Sequence, residues 1–171
     1  MEISNRQYLE SCLSFRYLSN LSIFIAAIAY YSQAYSVFFV MVPLLITNLI
    51  VVLVLQWFNS AELFKGVFNL ANQFNQANQN NSIDLSKFIL LNSIWHIIPV
   101  IWLYGILIKD DIIRVFHPNF MGIFMWCSII AIVYFYYGSQ MQIYGQINYL
   151  WYGGLYMAVL FITCYYLLFN L

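Results

Sequence analysis

LSNLSIFIAAIAYYSQAYSVFFVMVPLLITNLIVVLVLQWF, residues 18–58, contains no Asp, Glu, Lys or Arg. The uncharged stretch around it runs from Arg16 to Glu62. A bilayer core of ~30 Å is crossed by about 20 apolar residues, so this stretch holds two helical spans and not one or three. The polar break Ser32-Gln33-Ala34-Tyr35-Ser36 leaves room only for a tight hairpin between them. Working outward, no charge follows Arg114 as far as Leu171, which makes room for two more spans. A third uncharged run, Phe88 to Ile108, lies between Lys87 and Lys109 and matches one crossing at ~1.5 Å per residue. The charge spacing thus predicts about five transmembrane helices, at 17–34, 36–58, 88–108, 120–137 and 149–169.

Composition points the same way. The 171 residues are 64% hydrophobic, 20% aromatic and only 7% charged, with six basic residues balancing six acidic ones. A soluble domain carries about a quarter charged residues. These values exclude a water-soluble globule, a nucleic-acid binder with a basic face and a disordered tail. Tyr30, Tyr31 and Tyr35, then Trp57, Tyr134, Tyr136 and Tyr137, then Tyr149, Trp151 and Tyr152 gather at the expected span ends. Amphipathic rings favour that depth. The apolar runs lack period-2 alternation, which argues for helices over a β-barrel. The expected class is an all-α, multispan integral membrane bundle forming a single domain over residues 1–171, without internal repeats.

Two details bear on topology. Ala27-Ile28-Ala29 has the small-x-small pattern of a signal-peptide cleavage site, but the preceding segment has no net positive charge, so the segment reads as a span. Arg6, Arg16, Lys65 and Lys87 fall on one side of a five-span chain and Lys109 and Arg114 on the other. That bias favours the N-terminus on the cytoplasmic or equivalent side.

Between the second and third spans lies a polar loop, residues 59–87. In its first half, Phe64, Val67, Phe68, Ala71 and Phe74 recur at helical spacing opposite Glu62, Lys65, Asn69, Asn72, Gln73 and Gln76. The pattern predicts a short interfacial amphipathic helix with Ser60 as its N-cap. Its polar face is nearly neutral, so the Phe stripe must supply the attachment. The Asn/Gln tract 72–81 follows and reads as a solvated loop, and Asn80-Asn81-Ser82 forms a glycosylation sequon. Tyr8, Cys12 and Phe15, within Met1–Arg16, are also at helical spacing.

No Asp, Glu, Lys or Arg falls inside an expected span. That argues against an ion-coupled transporter, a proton pump or a retinal protein. Cys12, Cys127 and Cys164, with His96 and His117, make no metal-ligand spacing, and no phosphate-binding glycine loop is visible, so neither metal nor cofactor is expected. Gly153-Gly154 reads as a site of close helix packing. The one intramembrane constellation is Asn92, His96 and Pro99. Asn92 and His96 share a helix face and could bond each other, and Pro99 frees the Trp95 carbonyl beside them. Thr47-Asn48 after Pro43 is the second such place. Asn, His and Thr also join membrane helices structurally, at about 0.6 kcal/mol per bond on average. His117-Pro118 reads as a helix-start turn.

Leu91-Asn92 with His96 and a following proline, then His117-Pro118 and Gly122, resembles the androgen-induced-gene family of transmembrane lipid hydrolases. The resemblance covers about Leu91 to Gly122. It implies His96 as catalytic base, Thr47 as nucleophile and Asn92 as their neighbour, acting on lipid esters of hydroxylated fatty acids. The chain departs from that family in having the Asn/Gln tract where a further span would stand. Two functional readings follow. The first is a structural or assembly component of a larger membrane complex, with the bilayer and other membrane subunits as partners and no nucleic acid. The second is an intramembrane Thr/His lipid-ester hydrolase. Usage rich in Ile, Asn, Phe and Tyr suits an AT-rich genome, such as that of an organelle or a large DNA virus.

Overall fold

The computed structural model describes residues 17–68, 81–109, 119–141, 144 and 146–169. Among these, five helices follow one another: α1 (Leu18–Tyr31), α2 (Tyr35–Phe68), α3 (Asn81–Lys109), α4 (Phe120–Met141) and α5 (Tyr149–Phe169). Strands are absent among the described residues. Four of the helices, α2 to α5, are long and apolar enough to cross a bilayer. The chain is a multi-pass helical membrane bundle. The first helix differs from expectation: its 14 residues rise about 21 Å, short of the ~30 Å hydrocarbon core. Met1–Arg16, including Cys12, and the Asn/Gln tract up to Asn80 lie outside the described residues, as do His117 and Pro118.

A backbone motif ends α1 early. The Gln33 amide donates to Tyr30 O at 3.1 Å and the Ala34 amide to Ala29 O at 2.8 Å. Gln33 holds φ 60 between them. This crossed pair is a Schellman cap, which satisfies the last carbonyls of α1. The Ala34 carbonyl then accepts from Val37 and Phe38 at 3.0 and 3.1 Å and starts α2 at once. The expected hairpin is thus confirmed with a defined mechanism. Asparagine caps start the last two helices. Asn119 Oδ1 accepts from the Gly122 amide at 3.3 Å, and Asn148 Oδ1 from the Trp151 amide at 3.0 Å.

Residues 60–68, the first part of the expected interfacial helix, are helical. α2 continues through the expected boundary to Phe68, with one non-helical residue, Asn59, at φ −139 and ψ 34. Asn59 rather than Ser60 therefore marks the break, and Ser60 is inside the following turn instead of capping it. The Asn59 side chain donates to the Tyr152 hydroxyl on α5, so a specific tertiary bond holds the kink. Phe74 and the other expected apolar positions beyond Phe68 lie outside the described residues. α3 starts at Asn81 and makes residues 81–87 helical, where the sequence predicts a polar loop.

α2 is the hub. It packs against α1, α3, α4 and α5, while α4 and α5 also pack on each other. Of its spanning window 56% is buried, against 17% for α3, 17% for α4 and 28% for α5. Phe38, Val42, Leu44 and Thr47 are fully covered. The outer helices expose large apolar side chains, among them Ile98 and Ile101 on α3 and Met121, Ile132 and Val133 on α4. In water such a surface would aggregate; against acyl chains it is matched. Tyr31, Trp57, Tyr136 and Trp151 are exposed near helix ends, as an interfacial belt requires.

Candidate functional site

The polar residues of the spans gather in the interior and bond across helices. Asn48 on α2 donates Nδ2–H to Ser22 Oγ on α1 at 3.0 Å and accepts the Tyr156 hydroxyl of α5 on Oδ1 at 2.8 Å. The Ser22 hydroxyl in turn donates to Ser19 O at 2.9 Å. Three helices are thus tied through one carboxamide. A second tie joins α2 and α3, where Gln56 Nε2 donates to Ile89 O at 3.3 Å and Gln56 Oε1 lies 3.2 Å from Ser93 Oγ. A third joins α3 and α1, Trp95 Nε1–H to Asn20 Oδ1 at 2.7 Å. Cys127 Sγ of α4 donates to Val40 O of α2 at 3.1 Å. In a medium without water, such bonds are the alternative to an unsatisfied polar group.

Sequence reasoning singled out Asn48 but passed over Asn20, Ser22, Gln56 and Tyr156. The usable signal was simple: a carboxamide inside an uncharged run must find a partner. Tyr152, expected at the membrane surface, is instead buried and bonded to Asn59.

Asn92 and His96 do not pair through their side chains. His96 Nδ1 lies 2.7 Å from the backbone carbonyl of Asn92, one turn back on its own helix. A carbonyl only accepts, so Nδ1 carries the proton and the neutral ring's Nε2 is left as a bare lone pair. That Nε2 is buried without a partner, and so is Thr47 Oγ1. α3 runs helically through Pro99, as α2 does through Pro43. With Gln56 level with Ile89 and Ser93, antiparallel packing sets Thr47 and His96 roughly 6 Å apart along the α2–α3 axis. They share a depth in the bundle, yet no hydrogen bond joins them.

Two cavities are lined by other residues. One of ≈ 490 Å³ opens between α4 and α5. A small one of ≈ 30 Å³ lies beside Asn48, Tyr144 and Tyr156. Neither Thr47 nor His96 lines either of them. The larger owes its space to the glycines. A Cβ on Gly153 would meet only Phe135 ring carbons at 3.9 Å, and one on Gly154 would meet nothing within 4 Å. The glycine pair therefore leaves a groove instead of drawing two helices into close contact, as its spacing suggested. Among the described residues, no three His, Cys, Asp or Glu side chains come together as a metal site.

Among the described residues, most interior polar groups are taken up in hydrogen bonds; Thr47 Oγ1 and His96 Nε2, at about the same depth, have no partner, and Cys127 and Cys164 are free buried thiols. Comparison with known protein families, with curated proteins and with solved structures finds no match to this chain.

Proposed function

We propose that the chain is a structural subunit of a larger membrane assembly, its bundle serving as a scaffold for neighbouring membrane proteins. One observation carries the reading: the intramembrane polar groups are largely consumed in tying α1, α2, α3 and α5 together, while the outer helices carry large apolar side chains. α3 extends the argument. It packs chiefly on α2 and leaves Ile94, Ile97, Ile98, Ile101 and Tyr104 exposed along its length. A helix attached on one side offers the other to a partner helix. Residue usage rich in Ile, Asn, Phe and Tyr would suit an AT-rich genome, and with it an organellar or large-DNA-virus membrane.

The test is extraction from the native membrane in mild detergent, with a photocrosslinking residue at Ile98 or Ile101. A structural subunit migrates as a complex well above 20.2 kDa and gives one reproducible protein adduct. Migration as a lone chain, with adducts only to lipid, would refute it.

A second reading, the Thr/His lipid-ester hydrolase, draws on one specific observation: Thr47 Oγ1 and His96 Nε2 are both buried and both unpartnered. Thr47 Oγ would attack an ester carbonyl as His96 Nε2 takes its proton. The alcohol would leave with that proton, and water would then release the acid from the acyl-threonine. Asn92, whose carbonyl holds the imidazole, would be a positioning residue. The structural reading is preferred because most interior polar side chains, Asn20, Ser22, Asn48, Gln56 and Tyr156 among them, are already committed to ties between helices.

A further inference from the structure

The seam between α4 and α5 has two unlike halves. Toward the start of α4 it is shut by aromatic rings, with Phe161 edge-on to Phe124 at 5.4 Å and to Phe120 at 5.7 Å. Toward the other end it gapes into the ≈ 490 Å³ groove, which runs from Ser139 and Tyr149 down to Ala131 and Met157. Phe135 forms its floor, braced on Tyr156 with ring centroids 5.2 Å apart. The groove's length from Ser139 to Ala131 is about 12 Å at the helical rise, close to one leaflet's share of a ~30 Å core.

We propose that this groove holds one acyl chain of a membrane phospholipid, drawn from the leaflet on the side of the α4–α5 loop. Three observations select that occupant. The lining is almost wholly apolar, and its exposed residues Ile132, Tyr136 and Leu150 open it sideways toward the bilayer. Its few polar lining residues, Ser139, Tyr136 and Tyr149, sit at the end where a headgroup and its ester linkages would lie, with the Ser139 hydroxyl donating to Tyr136 O at 2.7 Å and the Tyr149 hydroxyl accepting from the Tyr144 amide at 3.0 Å. The aromatic closure of the other half stops the groove at mid-membrane, where an acyl chain ends and a partner's helix would continue. None of the residues lining the groove is charged, so the groove itself reads the tail and carries no charge to select a headgroup. Gly154 lines the groove, and a Cβ there would meet no atom within 4 Å, so a larger side chain has open space to occupy beside it.

The full-length protein is reconstituted with phospholipids carrying a diazirine near mid-chain, in separate samples with a zwitterionic and an anionic headgroup, and the labelled residues are mapped by mass spectrometry. Label is expected to concentrate on Ala131, Ile132 and Met157, severalfold above Ile101 on the open face of α3, and equally for both headgroups. Gly154→Leu should remove that excess and leave Ile101 labelling intact, which also reports that the bundle is folded. Met157→Trp, at the deep end, should do the same and guards against a misfolded first variant. Uniform label on both helices, label unchanged in both folded variants, or dependence on an anionic headgroup would overturn the site. So would disulfide-linked dimers of Gly154→Cys formed in place of lipid label, since they would put a second copy in the groove.

Discussion

The Tyr156 hydroxyl of α5 and the Asn48 carboxamide of α2 meet at 2.8 Å in the centre of the bundle, and the same carboxamide holds Ser22 of α1 at 3.0 Å. Removing either end of this chain has unequal effects. Tyr156→Phe deletes one donor, and a cost of about 0.6 kcal/mol is expected, the average for such bonds in membranes. Asn48→Leu strips two partners at once and leaves a buried tyrosine hydroxyl without an acceptor, so about 2 kcal/mol is expected. Unfolding in mixed micelles of rising denaturing-detergent fraction measures both. Nearly equal losses would mean that the carboxamide does not couple the helices.

The cap between α1 and α2 makes a prediction of opposite sign. Gln33 is the one non-glycine described residue at positive φ, at 60. The left-handed region costs an L side chain roughly 1 kcal/mol, and glycine is free of that cost. Gln33→Gly should stabilise the bundle by about 0.5–1 kcal/mol in the same assay. Gln33→Val, β-branched in the same conformation, should destabilise it by more.

The helices were legible because charge is so scarce. Lys87, Lys109 and Arg114 punctuate the sequence, and α5 begins and ends where the uncharged run predicts. Less legible was whatever depends on one helix meeting another. Asn59 was read as the start of a loop, but its bond to Tyr152, far along the chain, lets the helix continue past a kink. Gly153-Gly154 has the composition of a close-packed seam, yet Phe135 opposite it is too large to let the backbones approach. The Asn92–His96 spacing allowed a side-chain bond, and the nearer backbone carbonyl took the imidazole instead. Each of these outcomes was settled by a competitor for the same hydrogen bond or space.

Tyr144, in the link between α4 and α5, predicts an alkaline limit to stability. Its ring packs near Tyr17 and Tyr149, at centroid distances of 5.9 and 6.4 Å. Burial pushes its hydroxyl well above the ordinary tyrosine range, helped by neighbouring tyrosines. A group whose folded-state pKa is raised contributes stability in full below its unfolded value, about 10, and loses it as pH rises beyond that. The melting midpoint of wild type should therefore fall above about pH 10. Tyr144→Phe should flatten that fall while shifting the neutral-pH midpoint little. A tyrosinate absorbance titration that shows every tyrosine ionising together near the ordinary value, with the bundle still folded, would contradict the burial argument.

Thr47 and His96 separate the two functional readings, because each predicts a different relation between stability and activity. Thr47 Oγ1 is buried with no partner, so Thr47→Val exchanges an unsatisfied hydroxyl for a methyl group and should stabilise the bundle by about 1 kcal/mol. His96→Ala removes a buried ring whose Nδ1 is tied only to its own helix, and should destabilise by about 1–3 kcal/mol through the cavity it leaves. If the chain is a scaffold, these are the whole effects: neither wild type nor variant turns over lipid esters or reacts with acylating hydrolase probes. If the pair is catalytic, wild type labels at Thr47, and Thr47→Val abolishes labelling while melting higher than wild type. A more stable but dead variant is what a hydroxyl kept unpaired for chemistry produces. Absence of labelling and of turnover across lipid esters, in protein shown to be folded by its melting transition, is the outcome expected from the structural reading. Labelling at Thr47 that depends on His96 would reverse it.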